Sequence, residues 1–476
     1  MESNLNTAIF ASYPAVDTDK VEELLAAEIA KSDVKFVVLD DDPTGVQTVH
    51  DVSVYTNWSV DSIKEGLLDQ NKLFYIMTNS RGMTPAETAK VHREIGRNTA
   101  IAAKETGVRY LFMSRSDSTL RGHYPLEPQL LKEALEEEGM CVDGEIMSPC
   151  FFEGGRYTIG NVHYVKYGNE LVPAANTEFA RDKSFGYTKS AIPEYVEEKT
   201  GGAYKAKDVT CISLEELRSL DIDGITQKLM AVNGFNKIVL NAIDYCDIKV
   251  FTIALYRAIA QGKTFMFRTA AGLVKVVGGI SDQPLLSREQ MVRGNTDCGG
   301  IVVVGSHTAK TTAQLEELKK LDGLEIIPFD SDLVLKGDAA LNAEVDRCVA
   351  AEEAAIRSGR TAVVFTKREL LTQADDTRES ALLRSVKISD AVQNLVGRLT
   401  VQPSFIVAKG GITSSDVGTK ALKVRKANVF GQICPGIPVW ETDAGSKFPG
   451  MAYVIFPGNV GDEKTLRTAV EKLMGK

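Results

Sequence analysis

The sequence predicts an α/β protein of two domains, each with a mainly parallel sheet flanked by helices, and with a β-hairpin-rich insertion in the first. Three observations carry this. Apolar runs of strand length alternate with longer segments of helical period from about residue 20 to the end, the pattern of repeated βα units. The length of 476 residues exceeds the roughly 250–300 that one core supports, so two cores or three are expected. Residues 151–205 break the rhythm with a stretch rich in Gly, Asn, Tyr and Thr, which carries hairpin signals.

Each element follows from its local pattern. VEELLAAEIAK (21–31) is an amphipathic helix, and KFVVLD (35–40) is a buried strand ending in carboxylates. VSVYTN (52–57), LFYIMTNS (73–80) and RYLFMS (109–114) are further strands, with a long helix from Pro85 to Gly107 before the last of them. A helix over about 126–139 leads to the strand EIMSPC. After the insertion come VTCIS, a helix around LEELRSL, KIVLNAID (237–244), the helix DIKVFTIALYRAIAQ and TFMFRTA (264–270). The first domain is expected over 1–275, a linker of loop composition over 276–298, and the second domain over 299–476. The second domain starts with GGIVVVGS and runs through LEIIPF, TAVVFT and SFIVAKGG to two late strands, IPVWETD and MAYVIFPGN, and a final helix.

Composition narrows the function classes. With 44% hydrophobic and 25% charged residues, disorder and collagen are excluded. The net charge of −9 and the lack of a long basic block argue against nucleic acid as a partner. No basic and apolar leader opens the chain and no stretch approaches 18 apolar residues, so a soluble, cytoplasmic protein without membrane contact is expected. The seven Cys include no CxxC pair and the five His no i, i+4 pair, which leaves no zinc signature.

The candidate chemistry lies at strand ends. Asp40-Asp41-Asp42-Pro43-Thr44-Gly45 follows a buried strand, where ligands sit in open α/β sheets. Three adjacent carboxylates repel one another unless cations or hydroxyls compensate them; a turn around Pro-Thr-Gly is the alternative. Neighbouring strands end alike, in Asn79-Ser80-Arg81, in the run Ser114 to His123, and in Asp244. Arg81, Arg115 and Arg121 offer forked donors for a carboxylate, while Asp117 and Ser118 suit hydroxyls. Together they suit a hydroxy acid, although for Arg115 a salt bridge to the acidic loop fits nearly as well. Arg156 either adds a cation from the insertion or belongs to a plain hairpin turn.

The second half carries glycine junctions, Gly305-Ser306-His307-Thr308, Lys409-Gly410-Gly411-Ile412-Thr413 and Gly458-Asn459-Val460-Gly461. Such turns let backbone N–H groups approach an anion and suggest a phosphate or nucleotide ligand, with plain helix capping as the alternative. Neither GxxxxGK[ST] nor a GxGxxG opening a helix is present, so a Walker site and a Rossmann fingerprint are unsupported.

The stretch DDDPTGVQTVHDVSVYTNW, with TNSR, SDSTLRGH, EGGRYTIGNVHYV, FRTAAG, GSHTAKTTAQ, KGGITSSD and PGNVGD in order along nearly the whole chain, resembles the four-carbon acid sugar kinase family. The resemblance implies an N-terminal sugar-acid-binding domain, a C-terminal nucleotide-binding domain, and ATP-dependent phosphorylation of acids such as threonate, erythronate or 3-oxo-tetronate. It implies ATP contacts at Ser306, Gly410, Gly411, Ile412, Thr413 and Gly458, and the acid sugar against Asp40 and the Ser116–Arg121 segment. Arg115 stands where the family often has Lys, which alters reach and donor geometry. On this basis Asp41 or Asp42 is expected to orient or deprotonate the acceptor hydroxyl, with Arg81, Arg115 and Arg121 as carboxylate clamps. Mg2+ is expected to ride mostly on ATP oxygens and water, with no metal ligands assigned. The expected partners are a small sugar acid and ATP, with a homo-oligomer left open. A nicotinamide-dependent hydroxy-acid oxidoreductase and a non-catalytic sugar-acid sensor are the competing classes.

Overall fold

The computed structural model describes residues 2–294, 296–369, 371–373, 376–458 and 460–476, without the side chains of 378 and 379. The chain divides into two compact units, Met1–Gly45 with Asn57–Asp282, and Val46–Thr56 with Gln283–Lys476. The second unit therefore takes an eleven-residue segment from within the first unit's sequence.

The first unit holds a parallel sheet of seven strands in the order Thr210–Ile212, Asn236–Leu240, Gly144–Ser148, Phe265–Thr269, Tyr110–Arg115, Lys35–Asp40, Leu73–Met77. The strand Lys35–Asp40 is buried at all six positions, as expected where helices cover both faces. Burial of each large aliphatic or aromatic side chain here stabilises the fold by about 1.5–3 kcal/mol. The helix Pro85–Thr106 starts with Thr84 and Glu87 in a reciprocal capping box and ends at Gly107 in the left-handed region, so its exposed backbone groups are satisfied at both ends. From Lys35–Asp40 the chain moves to one side, to Leu73–Met77, whereas the neighbour on the other side, Tyr110–Arg115, leads away towards Gly144–Ser148. The loops after these two central strands thus open a crevice, the topological switch point where ligands bind in open α/β sheets.

The insertion forms an antiparallel sheet in the order Leu5–Asn6, Glu170–Pro173, Val162–Tyr167, Arg156–Ile159. Gly160 and Asn161 both have positive φ, +57° and +67°, the turn that matches the twist of a two-residue hairpin. Tyr157, Ile159, Tyr164 and Leu171 cluster with Leu214 and Ile243, with Leu5, Ile9 and Phe10 of the N-terminal segment packed against them.

The second unit is a sheet of eight strands in the order Ser53–Tyr55, Lys426–Cys434, Ile437–Thr442, Ala452–Phe456, Ile406–Lys409, Ile301–Val304, Thr361–Thr366, Leu324–Phe329. The last five run parallel and the first three are antiparallel to their neighbours. Ile301–Val304 lies between Ile406–Lys409 and Thr361–Thr366, so its loop and that after Lys409 again lie at a switch point. Lys426–Cys434 goes unrecognised in the periodicity: its sequence, KANVFGQIC, alternates poorly and shifts register between Val429 and Gly431 and between Gln432 and Cys434. Among the described residues no helix is long and apolar enough to cross a membrane.

Candidate active site

In the first unit the strand-end residues form a chain of alternating charge. Asp41 accepts from Arg81 Nη2 at 2.6 Å and Nε at 3.2 Å, and from Ser116 Oγ at 2.5 Å. Asp42 accepts from Arg81 Nη1 at 3.3 Å, and from the hydroxyl and N–H of Thr44 at 2.6 and 2.8 Å. Arg115 Nη1 donates to Asp40 Oδ1 at 3.1 Å. Arg121 donates to Asp117 from Nε at 2.9 Å and Nη2 at 3.3 Å, and Thr119 Oγ1 donates to the same carboxylate. Ser118 contributes its carbonyl, which accepts from His163 Nε2 at 2.7 Å. The residues expected from sequence in this unit are therefore brought together, except Asp244, which instead caps the helix Tyr245–Ala260 and pairs with Arg218. Each of the three arginines already holds an aspartate.

Burial and charge set the protonation states. Burial pushes Asp40 up to about 7, against the lowering effect of Arg115. For Asp41, burial acts upward but is outweighed by the charge and hydrogen bonds of Arg81, then by Arg115 and the Ser116 hydroxyl, so it lies below the usual range. Asp117 is equally buried and is held far below the usual range by Arg81 and Arg121. Asp40 and Asp41 are enclosed, whereas the side chain of Asp42 keeps 18% exposure. Gly122 closes the site: its φ is +117°, and a Cβ there would stand 2.6 Å from Ser116 Oγ and 3.4 Å from Arg268 Nη2.

Sequence reasoning named neither Thr44 nor Thr119 as functional, although each sits two residues after an aspartate, the spacing at which Thr caps a carboxylate turn. It also missed Arg268, 5% exposed, which donates to the Arg121 carbonyl at 2.7 Å. Its mark in the sequence is its place in the FRTAAG motif, to which no role was given.

In the second unit three glycine junctions converge. Gly410 has φ +119°, and a Cβ there would meet Ser306 Cβ at 3.0 Å; one on Gly305 would meet Thr413 Oγ1 at 2.1 Å. Gly411 opens the helix Gly411–Asp416, capped by Gly410. The Gly458 carbonyl lies 3.2 Å from both Thr308 Oγ1 and Thr311 Oγ1, and Thr311 Oγ1 lies 3.0 Å from Ser306 Oγ. Ser306, Gly410 and Gly458 thus face one another, while Asn459 lies outside the described residues. Beside them is a cavity of about 230 Å³ lined by Gly305, His307, Ile388, Val392, Ile412 and Thr413, among others. Ile412 is 67% exposed, unusual for an aliphatic side chain beside a cavity. Lys409, fully buried, donates to the Pro457 carbonyl at 2.5 Å, and burial, with the like charge of Lys310, pushes it down to about 7. Among the described residues no group of three or more His, Cys, Asp or Glu side chains is placed to hold a metal ion.

Comparison with known proteins agrees with this division. A sugar-binding N-terminal domain matches residues 36–277 and a nucleotide-binding C-terminal domain matches residues 301–466. A Salmonella typhimurium LT2 protein, provisionally assigned as a tRNA synthase, is similar with a TM-score of 0.64 and 16% identity over 92% of this chain and 98% of its own. Haemophilus influenzae protein HI1011 is similar with a TM-score of 0.59 and 16% identity over 92% of this chain and 100% of its own. At such identity the likeness concerns the fold. No curated protein matches the chain. The acidic cluster lies inside the first matched region and the glycine junctions inside the second, and the chain belongs to the family in which a sugar-binding N-terminal domain is followed by a nucleotide-binding C-terminal domain.

Proposed function

We propose that the chain is an ATP-dependent kinase that phosphorylates a hydroxyl of a four-carbon sugar acid of the threonate, erythronate or 3-oxo-tetronate type, in cytoplasmic sugar-acid catabolism. The observation that carries this reading is the presence, on one chain, of an arginine-paired carboxylate cluster in the sugar-binding domain and a glycine-lined cradle in the nucleotide-binding domain. Phosphoryl transfer asks for positioning and charge compensation more than covalent chemistry. Both kinds of group are at hand.

Asp42 is the proposed base. Its carboxylate is oriented by Thr44 and Arg81 yet keeps exposure, whereas Asp41 is enclosed and fully engaged by Arg81 and Ser116. Asp40, Asp41 and Asp117 then act by holding Arg115, Arg81 and Arg121 in place. ATP is assigned to Ser306, Gly410, Gly411, Ile412, Thr413 and Gly458, with the base beside Ile412 in the 230 Å³ cavity. Mg2+ would be held chiefly by nucleotide oxygens and water, where it neutralises charge on the transferred group.

Coupled ADP release measured against D- and L-threonate, D- and L-erythronate and the 3-oxo acids tests the reading. ADP is expected with at least one acid, and Asp42→Asn is expected to lower kcat by about 10²–10⁴ with little change in KM. Silence across the whole panel would overturn the kinase assignment, and an unchanged rate in Asp42→Asn would overturn that of the base.

A further inference from the structure

The arginines expected to clamp the acceptor carboxylate are occupied. Arg81, Arg115 and Arg121 each hold an aspartate, at 2.6, 3.1 and 2.9 Å. Arg156 differs. It opens the hairpin strand Arg156–Ile159, makes no side-chain hydrogen bond or ion pair among the described residues, and buries its Nε without a partner. Its guanidinium lies 5.6 Å from the centroid of the Phe179 ring, and that of Arg121 lies 5.1 Å from the same centroid. Two cations thus share one aromatic ring. The charge of Arg121 is answered by Asp117 and, at 3.8 Å, by Asp182; that of Arg156 is not. Burial disfavours its charged form, and the field of Asp117 offsets this only in part.

A guanidinium held in a half-buried place beside another cation, with donors unused, is favourable when an anion completes it. Its planar fork matches a carboxylate with two parallel hydrogen bonds. Arg268 also keeps a partnerless Nε, but its Nη2 is engaged by the Arg121 carbonyl and the residue is 5% exposed, so it supports the Arg121 turn. We propose that Arg156 binds the carboxylate of the acceptor and thereby selects sugar acids over neutral polyols. This rests on the acceptor reading above and assigns the charge recognition to the hairpin insertion rather than to the strand-end arginines.

The test compares D-threonate and D-erythronate with their neutral counterparts threitol and erythritol. Arg156→Gln is expected to raise the KM for the acid ten- to hundredfold, and Arg156→Lys less, while the KM values for ATP and for the polyols stay within twofold. The preference for acid over polyol then collapses. Calorimetric titration of D-threonate and D-erythronate without ATP is expected to give the same ranking and needs no turnover. Absence of ADP production with intact tetronate binding would therefore strike the kinase reading alone. An acid KM or affinity unchanged in Arg156→Gln would overturn the role of Arg156. So would an equal weakening of acid and polyol, the mark of a merely structural residue. Failure of the wild-type chain to bind any of the D- or L-tetronates or 3-oxo acids would overturn both readings.

Discussion

A methyl group added at Gly122 would stand 2.6 Å from Ser116 Oγ and 3.2 Å from Asp41 Oδ2, on a backbone with φ +117°. Both the close approach and the left-handed region penalise any side chain there. Gly122→Ala is expected to displace the Ser116–Asp41 hydrogen bond and to destabilise the protein by about 1–3 kcal/mol. It should cost more in kcat/KM for the acid than in the KM for ATP; denaturant unfolding and steady-state kinetics check the two parts. At this scale the sequence was informative about which residues gather and less so about what they do there. Runs of Asp and Arg at successive strand ends point to one crevice because parallel strands deliver their carboxyl ends to one edge. They do not say whether an arginine meets a ligand or a neighbouring aspartate. That depends on rotamers and loop paths, and Arg81, Arg115 and Arg121 proved to hold aspartates.

The hairpin insertion is an element whose presence the sequence announced through its turn residues, and beside its apolar contacts a buried imidazole ties it to the strand-end segment. His163, on the strand Val162–Tyr167, approaches Thr158 Oγ1 at 3.1 Å through Nδ1 and donates from Nε2 to the Ser118 carbonyl at 2.7 Å. Burial lowers its pKa to about 4. The folded state therefore resists a proton that the unfolded chain accepts near 6.5. Stability from this group is fully present above about 6.5 and is lost as pH falls towards 4. The midpoint of urea unfolding is expected to drop over that range, and to drop less in His163→Gln; equal slopes in the two proteins would contradict the assignment. Short elements were less legible. The strand Lys426–Cys434 has bulges that break its alternation, so its period resembles neither strand nor helix.

Across the whole molecule, the division into two units follows the amount of apolar surface a chain this long can bury, but the path between them does not follow from composition. VSVYTN has the β-branched pattern of any strand, and nothing in it says which sheet it will join. It joins the second, where Tyr55, Val54 and Ser53 pair with Lys426, Ala427 and Asn428, while Gln47 reaches the Gly436 carbonyl at 3.3 Å. A fragment of residues 283–476 lacks that partner and leaves the edge of Lys426–Cys434 open. It is expected to self-associate in size-exclusion chromatography, and fusion of residues 46–56 by a short linker should restore a monomer. The same segment leaves the ribosome more than two hundred residues before Gln283. At about 5–20 residues per second, this strand-forming piece waits on the order of ten to forty seconds while the first unit folds on both sides of it. Synthesis thus imposes an order on assembly: the second unit can be completed only with a strand that has been part of the chain since early in translation.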